Sequence, residues 1–325
     1  MNKISAAFGY LKRMHSMFVP LAKKEHVALP YLYYDFIKCF MLYGCWIDGY
    51  VRGGFYKVKR CERKKRLTYG RMSKVYRYAN QSYSHILNRK NEFNEYFKEF
   101  IGRDWLYSEG LTYEKFVEFC KQNPEVIVKP ADGWQGDGIY KLNTARCDLK
   151  REYEKLIGGG NALIESLLHN HPDMIFGNDS INTIRAYTFI EGNGDCSLSK
   201  CILRVGAVGQ VVDNYCHGGA CYEVEPELGY IKSRSLQKAG GNTLLHPGTD
   251  VVMIGRRIPM WDKVVDLMFE AHRKLPKMVM IAWDVAITEN GPVLIEGNEN
   301  PDYDLLEMIG STGYWPQFKK VINNK

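Results

Sequence analysis

Apolar positions along this chain follow two rhythms, one of period two and one of three to four residues. Each predicts a different element. Spacings of three and four run through the first 90 residues, as in Leu32, Phe36, Phe40 and Tyr43, and predict a helical unit interrupted at Gly53-Gly54. Past residue 100 the texture changes. A short helix is predicted over Tyr113 to Cys120, then a strand Glu125 to Lys129 ending at Pro130. The glycine-rich segment 131–138 separates it from a second strand, Ile139 to Leu142, and Asn161 to Leu168 reads as a third. Arg185 to Glu191 and Leu198 to Val205 suggest an antiparallel pair. The clearest helix is Pro259 to Leu275, with Trp261, Val264, Val265, Met268, Ala271 and Leu275 on one stripe and Pro276 as its stop. The described pattern closes on a hairpin, Val279 to Ile287 against Pro292 to Glu296. The expected class is α+β with strongly mixed order.

Composition narrows the class further. At 325 residues with 45% hydrophobic positions, a packed core is affordable, and whole-chain disorder, collagen or coiled-coil rods are excluded. No run of about 18 apolar residues exists, and no signal peptide is read at the start. The nine cysteines show no Cys-x-x-Cys pair, so reduced thiols in a cytoplasmic protein are expected rather than a zinc site. Charge is unevenly spread. Residues 1–90 carry 19 basic and 4 acidic side chains, a balance of +15, while the remainder carries 25 and 33, a balance of −8. Such asymmetry points to an anionic partner or surface for the N-terminal part, or to a merely solvated basic face.

The sharpest chemical signal lies in the hairpin. Its two apolar strands each carry a carboxylate, Asp284 and Glu296, which hydrophobic burial alone would not place there. Alternation puts Glu296 and Asn298 on one face. If Glu289-Asn290-Gly291 is a three-residue loop, the register sets Asp284 opposite Glu296, with β-carbons roughly 5 Å apart. A two-residue Asn290-Gly291 turn would instead shift the register by one and send Asp284 to the other face. Two carboxylates and an amide oxygen at that distance form a hard-oxygen site suited to Mg²⁺.

Five further segments bear polar groups in or beside strands. Val126-Ile-Val-Lys129-Pro precedes the glycines 133, 136 and 138, so that a lysine and close-approaching backbone N–H groups could meet a phosphate. It is not a P-loop, because the lysine comes before the glycines. Ala162-Leu-Ile-Glu165-Ser-Leu-Leu168 carries one buried-looking acid. Ile181-Asn-Thr-Ile-Arg185, Cys201-Ile-Leu-Arg204 and Asp213-Asn-Tyr-Cys-His-Gly-Gly219 complete the set.

In this order, the pieces resemble the ATP-grasp superfamily, and most closely its sugar-transfer-associated branch, over about residues 85–310. The resemblance implies an ATP-grasp fold, two α+β subdomains clasping ATP, after a helical N-terminal unit. The implied domains are a basic unit 1–88, a small nucleotide-covering subdomain 89–168 with a glycine-rich lid, and a large catalytic subdomain 169–325. It implies that Lys90 and Lys129 contact ATP phosphates, under a lid containing Gly133, Gly136 and Gly138. Glu165 and the backbone of Leu167 would meet the adenine, and Asp173 the ribose. Arg185 and Arg204 would face the transferring phosphoryl group, and Asn214 the incoming carboxylate. Asp284, Glu296 and Asn298 would hold two Mg²⁺ ions. The implied activity is that of a carboxylate–amine ligase working through an acyl phosphate on a glycan-linked or small-molecule carboxylate and an amine, in surface polysaccharide (capsule) synthesis. The rivals are an ATP-grasp kinase with a hydroxyl acceptor and a non-catalytic basic module binding anionic polymer or membrane. No nucleic-acid partner is expected. The expected location is the cytoplasm, at the inner membrane face where the basic unit makes peripheral contact.

Overall fold

The computed structural model describes residues 3–79, 83–131, 138–178, 180–209, 218–237, 242–309 and 313–323. Gly133, Gly136 and Asn214 lie outside them. The chain forms two compact units, one of residues 1–79 with 302–325 and one of residues 80–301.

The first unit is helical, as expected: α1 (Lys3–Glu25), α2 (Leu29–Tyr43), α3 (Ile47–Val51), α4 (Arg60–Arg63) and α5 (Tyr69–Ala79). Pro30 sits in the first turn of α2, where its missing N–H leaves no intrahelical bond unmade. Leu32, Phe36 and Cys39 of that helix pack with Phe18, Tyr50 and Phe55. Phe40, expected in the same stripe, is 42% exposed. Cys39 takes the buried position, and the next residue is turned about 100° out of the stripe. At the centre, Arg63 meets Asp35 at 2.7 Å and the Tyr50 hydroxyl donates to the same carboxylate at 2.8 Å.

The second unit opens with α6 (Ser84–Asn88) and α7 (Lys90–Tyr96). Its first sheet has the order β1-β4-β2-β3, from β1 (Trp105–Tyr107), β2 (Glu125–Pro130), β3 (Tyr140–Asn143) and β4 (Ala162–Ser166). Helices α8 (Tyr113–Gln122) and α9 (Leu149–Gly158) cover one face, with Phe116, Phe119 and Leu156 on Val126, Val128 and Ile164. The second sheet has the order β10-β9-β5-β6-β7-β8. Its strands are β5 (Thr183–Ile190), β6 (Cys196–Val205), β7 (Ala220–Val224), β8 (Leu236–Gln237), β9 (Met280–Thr288) and β10 (Gly291–Asn298). Helix α10 (Trp261–Arg273) lays Trp261, Val264, Met268 and Ala271 against Ala186, Leu203, Trp283 and Val285.

Two short helices, α11 (Asp304–Met308) and α12 (Trp315–Asn323), return to the first unit. Glu307 accepts from the Leu67 N–H at 2.7 Å, and Arg71 lies 4.9 Å over the Trp315 ring. These contacts place 302–325 with the N-terminal helices, whereas the expected division gave them to the catalytic part. Ile86 and Leu87, expected on the N-terminal side, instead join the core of the second unit.

Candidate active site

Register decides whether the hairpin carboxylates meet. The loop is neither expected form: Gly291 pairs Thr288, so Glu289-Asn290 alone make a two-residue turn. Gly291 starts the return strand with φ at +132°, which side-chain-bearing residues rarely adopt. This overturns the expected three-residue loop, and carried to the end it would have turned Asp284 away from Glu296. A bulge between Leu294 and Glu296 inserts one residue and restores the alignment, so Glu296 pairs directly with Asp284.

Across β5, β9 and β10 the site residues then line up. Arg185 pairs Asp284, which pairs Glu296. The Arg185 guanidinium is bonded to Asp284 through Nε, with a second contact from Nη2 at 2.7 Å, and it reaches Glu296 at 3.5 Å. Arg204 donates at 2.9 Å to Oδ2 of Asp284, the oxygen that Arg185 Nη2 also contacts. Asn298 Nδ2 donates to Glu296 at 3.2 Å. All five lie on the sheet face opposite α10, because their neighbours Ile184, Leu203, Trp283 and Val285 point into the core.

The two acids behave oppositely. Asp284 is buried, which alone would raise its pKa, but the Arg185 and then Arg204 charges override burial and hold it near 2. Glu296 is raised, first by desolvation and then by the adjacent Asp284 charge. Its side chain nonetheless keeps 45% of its surface open. Two carboxylates in contact, one of them reluctant to ionise and facing outward beside an amide, form a donor set that fits a hard divalent cation. Among the described residues no group of three or more His, Cys, Asp or Glu side chains offers a rival metal site.

The first sheet supplies a second cluster. Lys129 and Glu165 share the face away from α8 and α9, since Val128 and Ile164 fill the core side. Glu165 is fully buried and bonded to Lys129; it also accepts from Arg103 Nε at 2.7 Å and Asn94 at 2.8 Å. Burial would raise its pKa, but Arg103 and then Lys129 hold it near 2. Lys90 arrives from α7 and donates to the carbonyls of Pro130 and Ala131 at 2.9 and 3.0 Å, beside Lys129. At the far end of the glycine segment, a Cβ on Gly138 would stand 2.8 Å from the Pro130 ring, so glycine alone lets the two ends close. The Leu167 N–H is spent on the Glu125 carbonyl at 3.1 Å. Asp173 is exposed on a one-turn helix, its carboxylate 3.8 Å from His171 Nδ1.

Arg103 carries no sequence signal and is central. Its buried guanidinium donates to Glu165, to Asn94 at 3.2 Å, and to the carbonyls of Leu294 at 2.6 Å and Ile295 at 3.3 Å. Those carbonyls belong to the bulge that turns Glu296 toward Asp284. One side chain therefore ties the lysine cluster to the carboxylate pair.

A unit of two antiparallel sheets, with basic groups on one and paired acids beside arginines on the other, is the architecture of an ATP-grasp protein. Residues 105–323, more than half of the chain, match the family described as sugar-transfer-associated ATP-grasp, and the chain belongs to that family. Among solved structures it is similar to the ATP-grasp ligase PsnB complexed with minimal precursor (13% identity, TM-score 0.48, 76% of this chain and 64% of that one). It is also similar to D-alanyl-alanine synthetase A from Vibrio cholerae (14%, 0.46, 76% and 67%) and to D-cycloserine synthetase DcsG (12%, 0.45, 74% and 71%). The chain thus spans just under two thirds of the PsnB chain. No curated protein matches the sequence.

Proposed function

We propose that the protein is an ATP- and Mg²⁺-dependent carboxylate–amine ligase. The observation that carries this reading is the line Arg185–Asp284–Glu296 across three strands, with Arg204 and Asn298 at its sides. Lys90 and Lys129 bind the nucleotide phosphates. Glu165, met by Arg103, Lys129 and Asn94, holds the Lys129 ammonium in place for the nucleotide. Asp284, Glu296 and Asn298 hold magnesium, which when bound neutralises phosphate charge and polarises the transferring group. Arg185 and Arg204 offset charge on the phosphoryl group as a substrate carboxylate attacks the γ-phosphorus and ADP leaves. An amine then attacks the acyl phosphate, and phosphate departs as the amide forms. Closure over the site excludes the water that would hydrolyse the intermediate. In keeping with the sugar-transfer family, the carboxylate is a uronic acid or another glycan-linked acid used in surface polysaccharide synthesis.

The test is ADP release measured against panels of uronic acids, amino sugars and amino acids, with mass spectrometry of the products. An amide with ADP and phosphate supports the ligase. A stable phosphate ester would make the protein a kinase.

A further inference from the structure

Two features of the N-terminal unit take no part in the site above, and they border each other. The first is α2, which is apolar around nearly its whole circumference. While Leu32, Phe36 and Cys39 face the core, Tyr31, Tyr34, Ile37, Met41 and Leu42 are 50%, 61%, 56%, 76% and 59% exposed. At about 100° per residue these five and Lys38 share one face. A helix apolar on every side is ordinarily covered on every side. At 15 residues it is too short to cross a bilayer, and among the described residues no helix is long and apolar enough to do so. The second feature is a cleft of about 350 Å³ along the flank of that face, between Tyr31, Lys38 and Leu42 on one wall and Lys57, Lys59 and Arg60 on the other.

We propose that this face docks the protein on an anionic lipid bilayer. Helix α2 lies in the plane of the surface with Ile37, Met41 and Leu42 inserted among the acyl chains. Tyr31 and Tyr34 sit at headgroup depth, and headgroup phosphates enter the cleft against Lys38, Lys59 and Arg60. Interleaved aromatic, aliphatic and lysine side chains on one convex helix are the make-up of an interfacial helix. Charge favours lipid over a second copy. The 19 basic against 4 acidic residues in 1–90 attract an anionic surface and repel their own kind. This inference gives residues to the peripheral membrane contact expected from the sequence. It does not depend on the ligase chemistry, because vesicle binding and ADP release are separate readouts.

The test is co-sedimentation of the full chain with vesicles of phosphatidylcholine containing one-third phosphatidylglycerol, and with phosphatidylcholine alone. The expected result is at least tenfold tighter binding to the anionic vesicles, weakened by added salt. Ile37→Ser with Met41→Ser lowers that binding roughly tenfold or more. Lys59→Glu with Arg60→Glu removes the anionic preference; these are exposed side chains, so this pair carries the test if the first variant folds poorly. Absence of binding to anionic vesicles, or binding as tight as the wild type by both variant pairs, would overturn the proposal. A concentration-dependent dimer in sedimentation, broken by Ile37→Ser with Met41→Ser, would assign the face to a second copy and overturn it equally.

Discussion

Glu165 and Glu296 are both strand carboxylates of the same unit, yet their surroundings are opposite. Glu165 has no exposed surface and is met by two cations and an amide. Glu296 is nearly half open, stands against another carboxylate, and shares Arg185 with it. Burial penalises the charge of both. In one case the neighbours more than repay it and the pKa falls to about 2; in the other the neighbouring acid adds to it and the pKa rises. The first arrangement is complete as it stands and holds the structure. The second leaves two acids against each other with one side open, the arrangement that the proposed cation would complete.

That contrast can be broken at either end. The largest effect falls on activity: Glu296→Gln lowers Mg-dependent ATP turnover on the order of a thousandfold, as loss of several kcal/mol of transition-state stabilisation requires. Retained turnover would remove the metal assignment. Next comes stability. Glu165→Gln leaves Arg103 and Lys129 uncompensated in the interior and costs on the order of 3–5 kcal/mol in urea denaturation. The same group sets a pH dependence. Folded Glu165 resists protonation down to about 2, against an ordinary 4.5, so its contribution is complete above pH 4.5 and drains away as pH falls toward 2. Acid titration of the wild type shows this slope, and Glu165→Gln flattens it. Lys129→Ala weakens ATP binding by about 1.5–3 kcal/mol in calorimetry, one charge-assisted contact. The smallest effect sharpens the comparison most. Glu296→Gln relieves the like-charge pair and leaves the metal-free protein equally stable or more stable, by no more than about 1 kcal/mol in thermal melts. A marked loss of stability there would make Glu296 structural, like Glu165.

How far these residues could be read from sequence follows the range of the forces that place them. Strand alternation and the stripe on α10 are local, so β2, β4, β5, β6, β9, β10 and that helix fall where the pattern puts them. Strands β1 and β8 have three and two residues, too few to show a period. Helix α9 left a signal that went unread, since Asp148 caps it by accepting from Lys150 and Arg151. The pairing of Asp284 with Glu296 was legible, but its cause was not. It comes from a bulge whose carbonyls are held by Arg103, a residue some 190 positions away in sequence. Phe40 shows the same limit from the other side: its spacing fits the core stripe, yet Cys39 fills that place.

The central claim is that Asp284, Glu296 and Asn298 together grip the cation that accompanies the nucleotide. Diffraction from crystals grown with ADP and Mn²⁺ tests it directly through the anomalous signal of the metal. The expected result is manganese bound by oxygens of all three side chains, with Arg185 and Arg204 turned to the phosphates. Manganese bound elsewhere, with Asp284 still closed on its two arginines, would contradict it.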